Sequence, residues 1–287
     1  WAHRIRGFRV GVGRCEVVRQ LPAAARDTDW RVYGGVARRV LAAMVSRQGG
    51  ARLQHVRGLA AVSLATSCIL DALSAAATAI ATATACMDLY EATYEPHYIQ
   101  TARELMQRVE DKFQSANGTF HETASDGEEL LVRQISGYDG VEPSGNSNAA
   151  LAFLRLSAYL AEPALALKAE KIFLDFNEEL MEYGLNSAFM LQALHLYLGG
   201  LKEVAVVGKK NDPATQELLN ALRKGFYPNA VFAFAYEDEI KNVGNLIPLL
   251  KDRKLVNGKA TAYVCRQGTC LAPVHSVEEL VKLLSYE

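Results

Sequence analysis

The sequence predicts a mainly α protein, an array of paired helices of the toroid kind, carrying a small α/β appendage toward its C-terminal end. Three observations carry the expectation. A helix–turn–helix pattern recurs after 67 residues. A polar insertion lengthens the unit between its copies. After Gly200 the helical period gives way to short apolar runs separated by turn residues.

The first hairpin begins with a helix carrying Leu89 and Tyr90, which must stop at Glu95-Pro96 because proline disfavours the α conformation in the residue before it. The next helix has an apolar stripe, Ile99, Ala102, Leu105, Met106, Val109 and Phe113, at spacings of three and four, and Asn117-Gly118 ends it. Leu156 then echoes Leu89, Glu162-Pro163 echoes Glu95-Pro96, Ala169 echoes Ala102, and Ile172, Phe173 and Phe176 echo Leu105, Met106 and Val109. A third unit is expected from Asn186, with Phe189, Leu191, Leu194 and Leu198 as its stripe and Gly199-Gly200 as its stop. Tetratricopeptide-type hairpins take only about 34 residues; here residues 115–145 are inserted between helices. Long connections in compact domains are usually functional. Toroids gather such loops on one face around a central cavity, which favours a toroid over an open solenoid.

The appendage, 201–287, starts with the apolar strand Val204-Ala205-Val206-Val207-Gly208. Asp212 caps a helix with Pro213 at its first position, running through Leu218, Leu219 and Leu222. Further strands are expected over 230–235 and 260–265, and a closing helix over 277–284. Gly208 after a strand is a weak phosphate signal without a glycine-rich loop. Cys265 and Cys270 with His275 offer three ligands at a spacing of four, whereas zinc sites want four ligands with cysteine pairs two to four residues apart. A thioredoxin motif spaces its cysteines by two. Buried structural thiols are therefore expected, with a labile disulfide as the alternative, and neither metal nor cofactor.

Residues 1–86 are unlike the rest. They hold 12 Arg, no Lys and 4 acids, against 12 Lys, 7 Arg and 28 acids beyond them, so charges of +8 and −9 hide within a net −1. Helical spacing is confined to 36–46, and a run rich in Ala, Thr and Ser follows over 59–87. A basic nucleic-acid arm would need Lys or aromatic interleaving. A membrane span would enclose Asp71 among small polar residues. The plain reading is helical or poorly ordered filler, and the abrupt change near Cys86 also fits translation in another reading frame. No nucleic acid or membrane partner is expected. Five scattered cysteines make no disulfide framework and point to a reducing compartment, hence the cytoplasm.

The insertion holds the candidate chemistry. Asp126-Gly127 lies between alternating segments and signals a hairpin. The string Gly137-Tyr138-Asp139-Gly140-Val141-Glu142-Pro143-Ser144-Gly145-Asn146-Ser147 then leads into a helix over 148–160, with Ser144 or Asn146 as N-cap. Asp139 and Glu142, with Asp126 and Glu128 nearby in sequence, are candidate acid–base carboxylates for a glycosidic bond or sugar carbon. Asp126, Tyr138, Ser144 and Asn146 are the expected substrate-binding positions, and Arg133 a partner for an anion or carboxylate. The competing reading is that Asp and Ser here satisfy turn and cap backbones. His121 is read as a surface residue.

The strings 137–150 and 126–133, the helix end over 87–96, and Tyr263-Val264-Cys265 with Cys270 resemble the thioredoxin-domain-containing proteins of the spermatogenesis-associated type. That resemblance covers roughly 86–287. It implies an N-terminal thioredoxin-like domain, missing here, and a six-hairpin, glycosidase-like (α/α) toroid similar to that of N-acylglucosamine 2-epimerases. The chain is then a partial six-hairpin toroid with an α/β appendage, divided at 1–86, 87–200 and 201–287. Two functions compete: a carbohydrate-active hydrolase or epimerase, and a non-catalytic scaffold whose toroid binds a partner or a carbohydrate ligand.

Overall fold

The structure is a computed structural model that describes residues 75–285 except 128 and 267. Of the basic segment 1–86, residues 1–74 lie outside the described residues, and with them the helix expected over 36–46 and the greater part of the span alternative over 59–87. Glu128 lies outside them too. Among the described residues no helix is long and apolar enough to cross a membrane.

Two hairpins stand side by side. Helices α1 (Ala75–Thr93) and α2 (His97–Phe113) form one; α3 (Gly145–Leu160) and α4 (Pro163–Asp175) form the other. Helix α1 packs on α3, and α3 packs on α6 (Ala188–Gly199), with the short α5 (Asn177–Tyr183) and a 3-10 turn between α4 and α6. The 67-residue repeat extends to the backbone. Tyr94 (φ 59°) and Ala161 (φ 50°) are left-handed residues at equivalent helix ends, each followed by Glu-Pro. Leu89, Leu156, Ala102, Ala169, Leu105, Met106, Val109, Ile172, Phe173 and Phe176 are all buried, as the pattern predicts.

Helix α1 is a correction. It runs over Ala75–Thr93 and so crosses 86/87, where regular patterning was expected to begin. Ala76, Ala79, Ile80, Ala83, Cys86 and Met87 are all buried. These positions form one stripe at spacings of three and four, but alanine recurs both on this face and, with threonine, at the part-buried positions between, so the sequence shows no apolar contrast to mark it. The threonines fit because their hydroxyls donate back to the carbonyls four residues earlier, Thr82 to Thr78 (2.7 Å) and Thr84 to Ile80 (3.2 Å).

Helix α6 is a second correction, in its facing. Met190, Ala193 and Leu196 are buried, whereas the expected stripe turns outward: Leu191 and Leu198 are exposed, Phe189 and Leu194 partly so. Leu167 and Leu174 on α4, with Met181, Tyr183 and Leu185 beyond it, are exposed too. The uncovered apolar surface therefore follows the second hairpin. On the first hairpin Leu89, Ile99, Leu105 and Met106 are buried.

The appendage folds as β1 (Lys202–Gly208), α7 (Pro213–Lys224), β2 (Ala230–Tyr236), α8 (Ile240–Leu246), β3 (Thr261–Arg266), β4 (Thr269–Cys270) and α9 (Val277–Ser285). Its sheet order is β2-β1-β3-β4, with β2 parallel to β1 and β3 antiparallel to its neighbours. Strand alternation splits the side chains. Val204, Val206, Ala262 and Val264 pack with Leu218 and Leu222 of α7 and Leu280 of α9. Ala205, Val231, Ala233 and Ala235 join the core of the helical hairpins. The Tyr90 hydroxyl accepts the Phe234 N–H (3.3 Å), and Tyr94 stacks on Phe234. Cys265 and Cys270 are not free buried thiols but a disulfide across the β3–β4 pair, with Cys270 exposed. His275 turns its Nδ1 to the Ala260 carbonyl (3.0 Å).

Two stability predictions follow from this packing. Phe173→Ala removes a buried ring in contact with Tyr197 and should cost about 3–5 kcal/mol, read by denaturant unfolding. Ala161→Gly should stabilise by roughly 0.5–1 kcal/mol, because an exposed left-handed residue loses its Cβ clash. A lower melting temperature for that variant would contradict the left-handed turn.

Candidate functional site

Residues 114–144 leave α2, cross toward the end of α4 and the start of α6, and return to start α3. Their backbone is tied down by few bridges, Gln114 to Phe120 and His121 to Ile135. The expected hairpin around Asp126-Gly127 survives as the second bridge and the Glu122 N–H bond to the Gln134 carbonyl (2.9 Å). Leu131 and Val132 face solvent, so no second surface turns their run into a strand.

Side chains hold the loop instead. Asn146, buried in the first turn of α3, accepts the Phe120 N–H at Oδ1 (2.8 Å) and donates Nδ2 to the Phe120 and Ser136 carbonyls (3.0 and 2.9 Å). Ser144 is the N-cap of α3 and accepts from Ser147 N–H (3.0 Å). Arg133 donates to the Thr123 carbonyl and, from Nη2, to that of Lys112 (3.2 Å). His121 shares Nδ1 with the Arg133 carbonyl (3.0 Å). Gly137 passes so close to Phe176 that an added Cβ would lie 2.7 Å from its ring, so only glycine fits there.

Asp139 is the centre of this arrangement. Its Oδ1 accepts the Ser144 N–H (2.8 Å); its Oδ2 accepts those of Phe189 (2.8 Å) and Met190 (3.1 Å) in the first turn of α6. Its own N–H donates to the Asn186 carbonyl (2.7 Å). One carboxylate thus joins the start of α3 to the start of α6, where unpaired helix N–H groups favour an anion. Glu142 and Tyr138 lie exposed on the same loop. Asp126 pairs with Lys112 (2.7 Å), whose hydrogen bond holds its carboxyl below the ordinary range. The loop brings Asp139, Ser144 and Asn146 together in backbone bonds. Asp126 and Arg133 instead bind groups at the end of α2 and the start of the loop.

Sequence reasoning missed a second polar cluster. On the facing sides of α1 and α3, Arg155 contacts Asp88 (2.7 Å) and Glu91 (3.3 Å), and the Tyr159 hydroxyl donates to Glu91. Burial raises the Glu91 carboxyl above its usual range, with Arg155 and Tyr159 pulling it back. Burial works to lower the Arg155 guanidinium, but Asp88 and Glu91 outweigh it and hold the cation. The available signal was the repeat itself: Asp88 and Arg155 are 67 residues apart and occupy the same position with opposite charge. Among the described residues no three His, Cys, Asp or Glu side chains converge as a metal site. A pocket lined by Lys210, Asp212, Gln216 and Tyr236 opens beside the start of α7, with the Lys210 ammonium paired to Asp238 and Glu239.

The cluster yields a pH prediction. Because Glu91 ionises less readily in the fold than in the open chain, where its value is near 4.5, its share of stability falls as pH rises through the interval between the two. Tyr159→Phe removes one partner of the charged form. It should cost about 1–3 kcal/mol near neutrality and carry that decline to higher pH. Urea unfolding from pH 4 to 8 (roughly the window in which such a raised carboxyl titrates) reads both effects.

No protein-family model matches the chain. It is 29% identical over 201 residues to human spermatogenesis-associated protein 20, and equally to the rat protein of that name, matching 69% of this chain and 25% of each relative. An uncharacterised Caenorhabditis elegans protein is 28% identical over 203 residues, matching 70% of this chain and 27% of that protein. The chain thus spans about a quarter of the length of the curated relatives it matches, and its similarity is to proteins of the spermatogenesis-associated name.

Proposed function

We propose that this chain is part of a six-hairpin (α/α) toroid that serves as a non-catalytic scaffold, in a cytoplasmic parent protein that also carries a thioredoxin-like domain. The observation that carries the reading is the Asp139 carboxylate, whose two oxygens accept three backbone N–H groups. A carboxylate committed to capping helices is poorly placed to shuttle a proton, since protonation would break the joint it makes. Support for the toroid comes from the row α1, α3, α6 with α2 and α4 outside it, and from the uncovered apolar face on α4 and α6, which suits a following hairpin.

A carbohydrate ligand is the second reading, favoured by Tyr138 and Glu142, an exposed aromatic and an exposed carboxylate on one loop. Within it Asp139 and Glu142 are the acid–base pair and Asp126, Arg133, Ser144 and Asn146 the binding groups.

The readings separate in one set of measurements. Asp139→Asn should lower stability by about 1–3 kcal/mol, because an amide N–H₂ then faces backbone donors, and neither parent nor variant should turn over glycosides or N-acyl sugars. Light scattering should show polydisperse association through the uncovered face of Leu174, Leu191 and Leu198. Sugar turnover by a monodisperse chain, lost in Asp139→Asn at unchanged melting temperature, would overturn the scaffold reading.

A further inference from the structure

The Cys265–Cys270 disulfide joins a buried sulfur to an exposed residue: Cys265 is 2% exposed, while Cys270 lies on the short edge strand β4. One cation faces both sulfurs. Arg253 Nη2 lies 3.3 Å from each Sγ, and its guanidinium lies 4.9 Å above the Tyr263 ring. The buried Nε of Arg253 has no hydrogen-bond partner. Glu203, register partner of Cys265 on β1, is the carboxylate whose charge Arg253 favours against the effect of burial. A guanidinium held over sulfur, with a buried donor left over, is an arrangement made for a developing thiolate. The order and directions of the strands are those of a thioredoxin-like sheet, yet the loop after its first strand, 209–212, holds no cysteine. The sulfur pair sits instead at the far side of the sheet, on β3 and β4.

We propose that Cys265–Cys270 is a reversible thiol–disulfide exchange site for thiol and dithiol reductants, with Cys270 the sulfur attacked and Cys265 the leaving thiolate stabilised by Arg253. An external thiolate attacks Cys270 Sγ. A new S–S bond forms there, the Cys265–Cys270 bond breaks, and its electron pair stays on Cys265 beneath the guanidinium. A second thiol of the reductant then attacks its own sulfur in the mixed disulfide and releases Cys270 as a thiolate. The reductant leaves as a disulfide; two electrons, and two protons from the reductant thiols and solvent, end on the cysteine pair. Disulfides in reducing compartments are mostly of this exchanging kind. This inference stands independently of the scaffold reading.

The test treats the oxidised full chain with reduced glutathione or dithiothreitol and follows each cysteine by alkylation and peptide mass spectrometry. Reduction of the native protein should be complete within minutes in millimolar dithiothreitol (roughly the timescale of accessible disulfides). Arg253→Gln should slow it about tenfold at unchanged circular dichroism, the effect of losing about 1.4 kcal/mol of leaving-group stabilisation. Cys265→Ser should accumulate glutathione on Cys270 when oxidised glutathione is supplied, and Cys270→Ser should leave Cys265 unmodified. Comparing these two single-cysteine variants keeps the test decisive if Arg253→Gln fails to fold. A disulfide that persists until the chain is denatured, equal reduction rates with and without Arg253, or preferential glutathionylation of Cys265 would each overturn the proposal.

Discussion

The Asp139 carboxylate is the joint on which the helical part depends. Helices α3 and α6 belong to successive units and are separated by the second outer helix, so sequence proximity does not bring their N-termini together. Three backbone N–H groups meeting on one anion do. The joint places Gly137 against Phe176 at a distance that only glycine allows, and sets Ser187 Oγ on the Gly137 carbonyl (3.0 Å). It also fixes where α6 begins, hence which of its residues face α3. A helix that presents Met190, Ala193 and Leu196 inward must present Leu191 and Leu198 outward. The exposed apolar face is thus a consequence of the same contact that organises the loop.

Much of this was legible because it repeats. Glu-Pro at equivalent places in two units fixes where each inner helix ends, and the structure places a left-handed residue at both. The stripes of α2 and α4 were legible because each of these helices is buried along one side. Helix α1 was not, although its buried residues follow a helical period, because alanine recurs at buried positions and, with threonine, at part-buried ones, and residue type gives no contrast between its faces. Helix α6 failed for the related reason that leucines occur all around it. Periodicity then cannot choose between two faces, and the choice falls to Asp139, far away in sequence.

The candidate site shows the limit of reading residue type without geometry. An Asp preceding a Ser/Asn-rich helix start is compatible with acid–base chemistry and with capping, and only the positions of the donors distinguish them. Arg133 was read as a partner for an anion, yet its donors are turned to main-chain carbonyls of Thr123 and Lys112. The loop is polar because its backbone has no sheet to pair with, and side chains supply the partners a sheet would have supplied. The same accounting explains Asn146, an amide buried in the first turn of α3: both of its ends are used, and by two different stretches of the loop.

The two polar centres differ in kind, and the difference follows from what surrounds them. Asp139 binds N–H groups that helix geometry already points outward, so its charge is matched by dipoles and the loop needs no cation there. Arg155 lies between two helices whose carbonyls and N–H groups are consumed internally, so its charge must be matched by side chains, Asp88 and Glu91. The first centre joins units across a loop; the second joins inner helices along their sides. With Tyr90 reaching from the same stretch of α1 to the backbone of β2, the polar contacts of one helix face extend from the hairpin stack into the sheet. The sheet is therefore held to the stack through the C-terminal half of α1 and through α3, which also packs on β2, and a hairpin repeat that continues as strand after Gly200 keeps a common core with the helices that precede it.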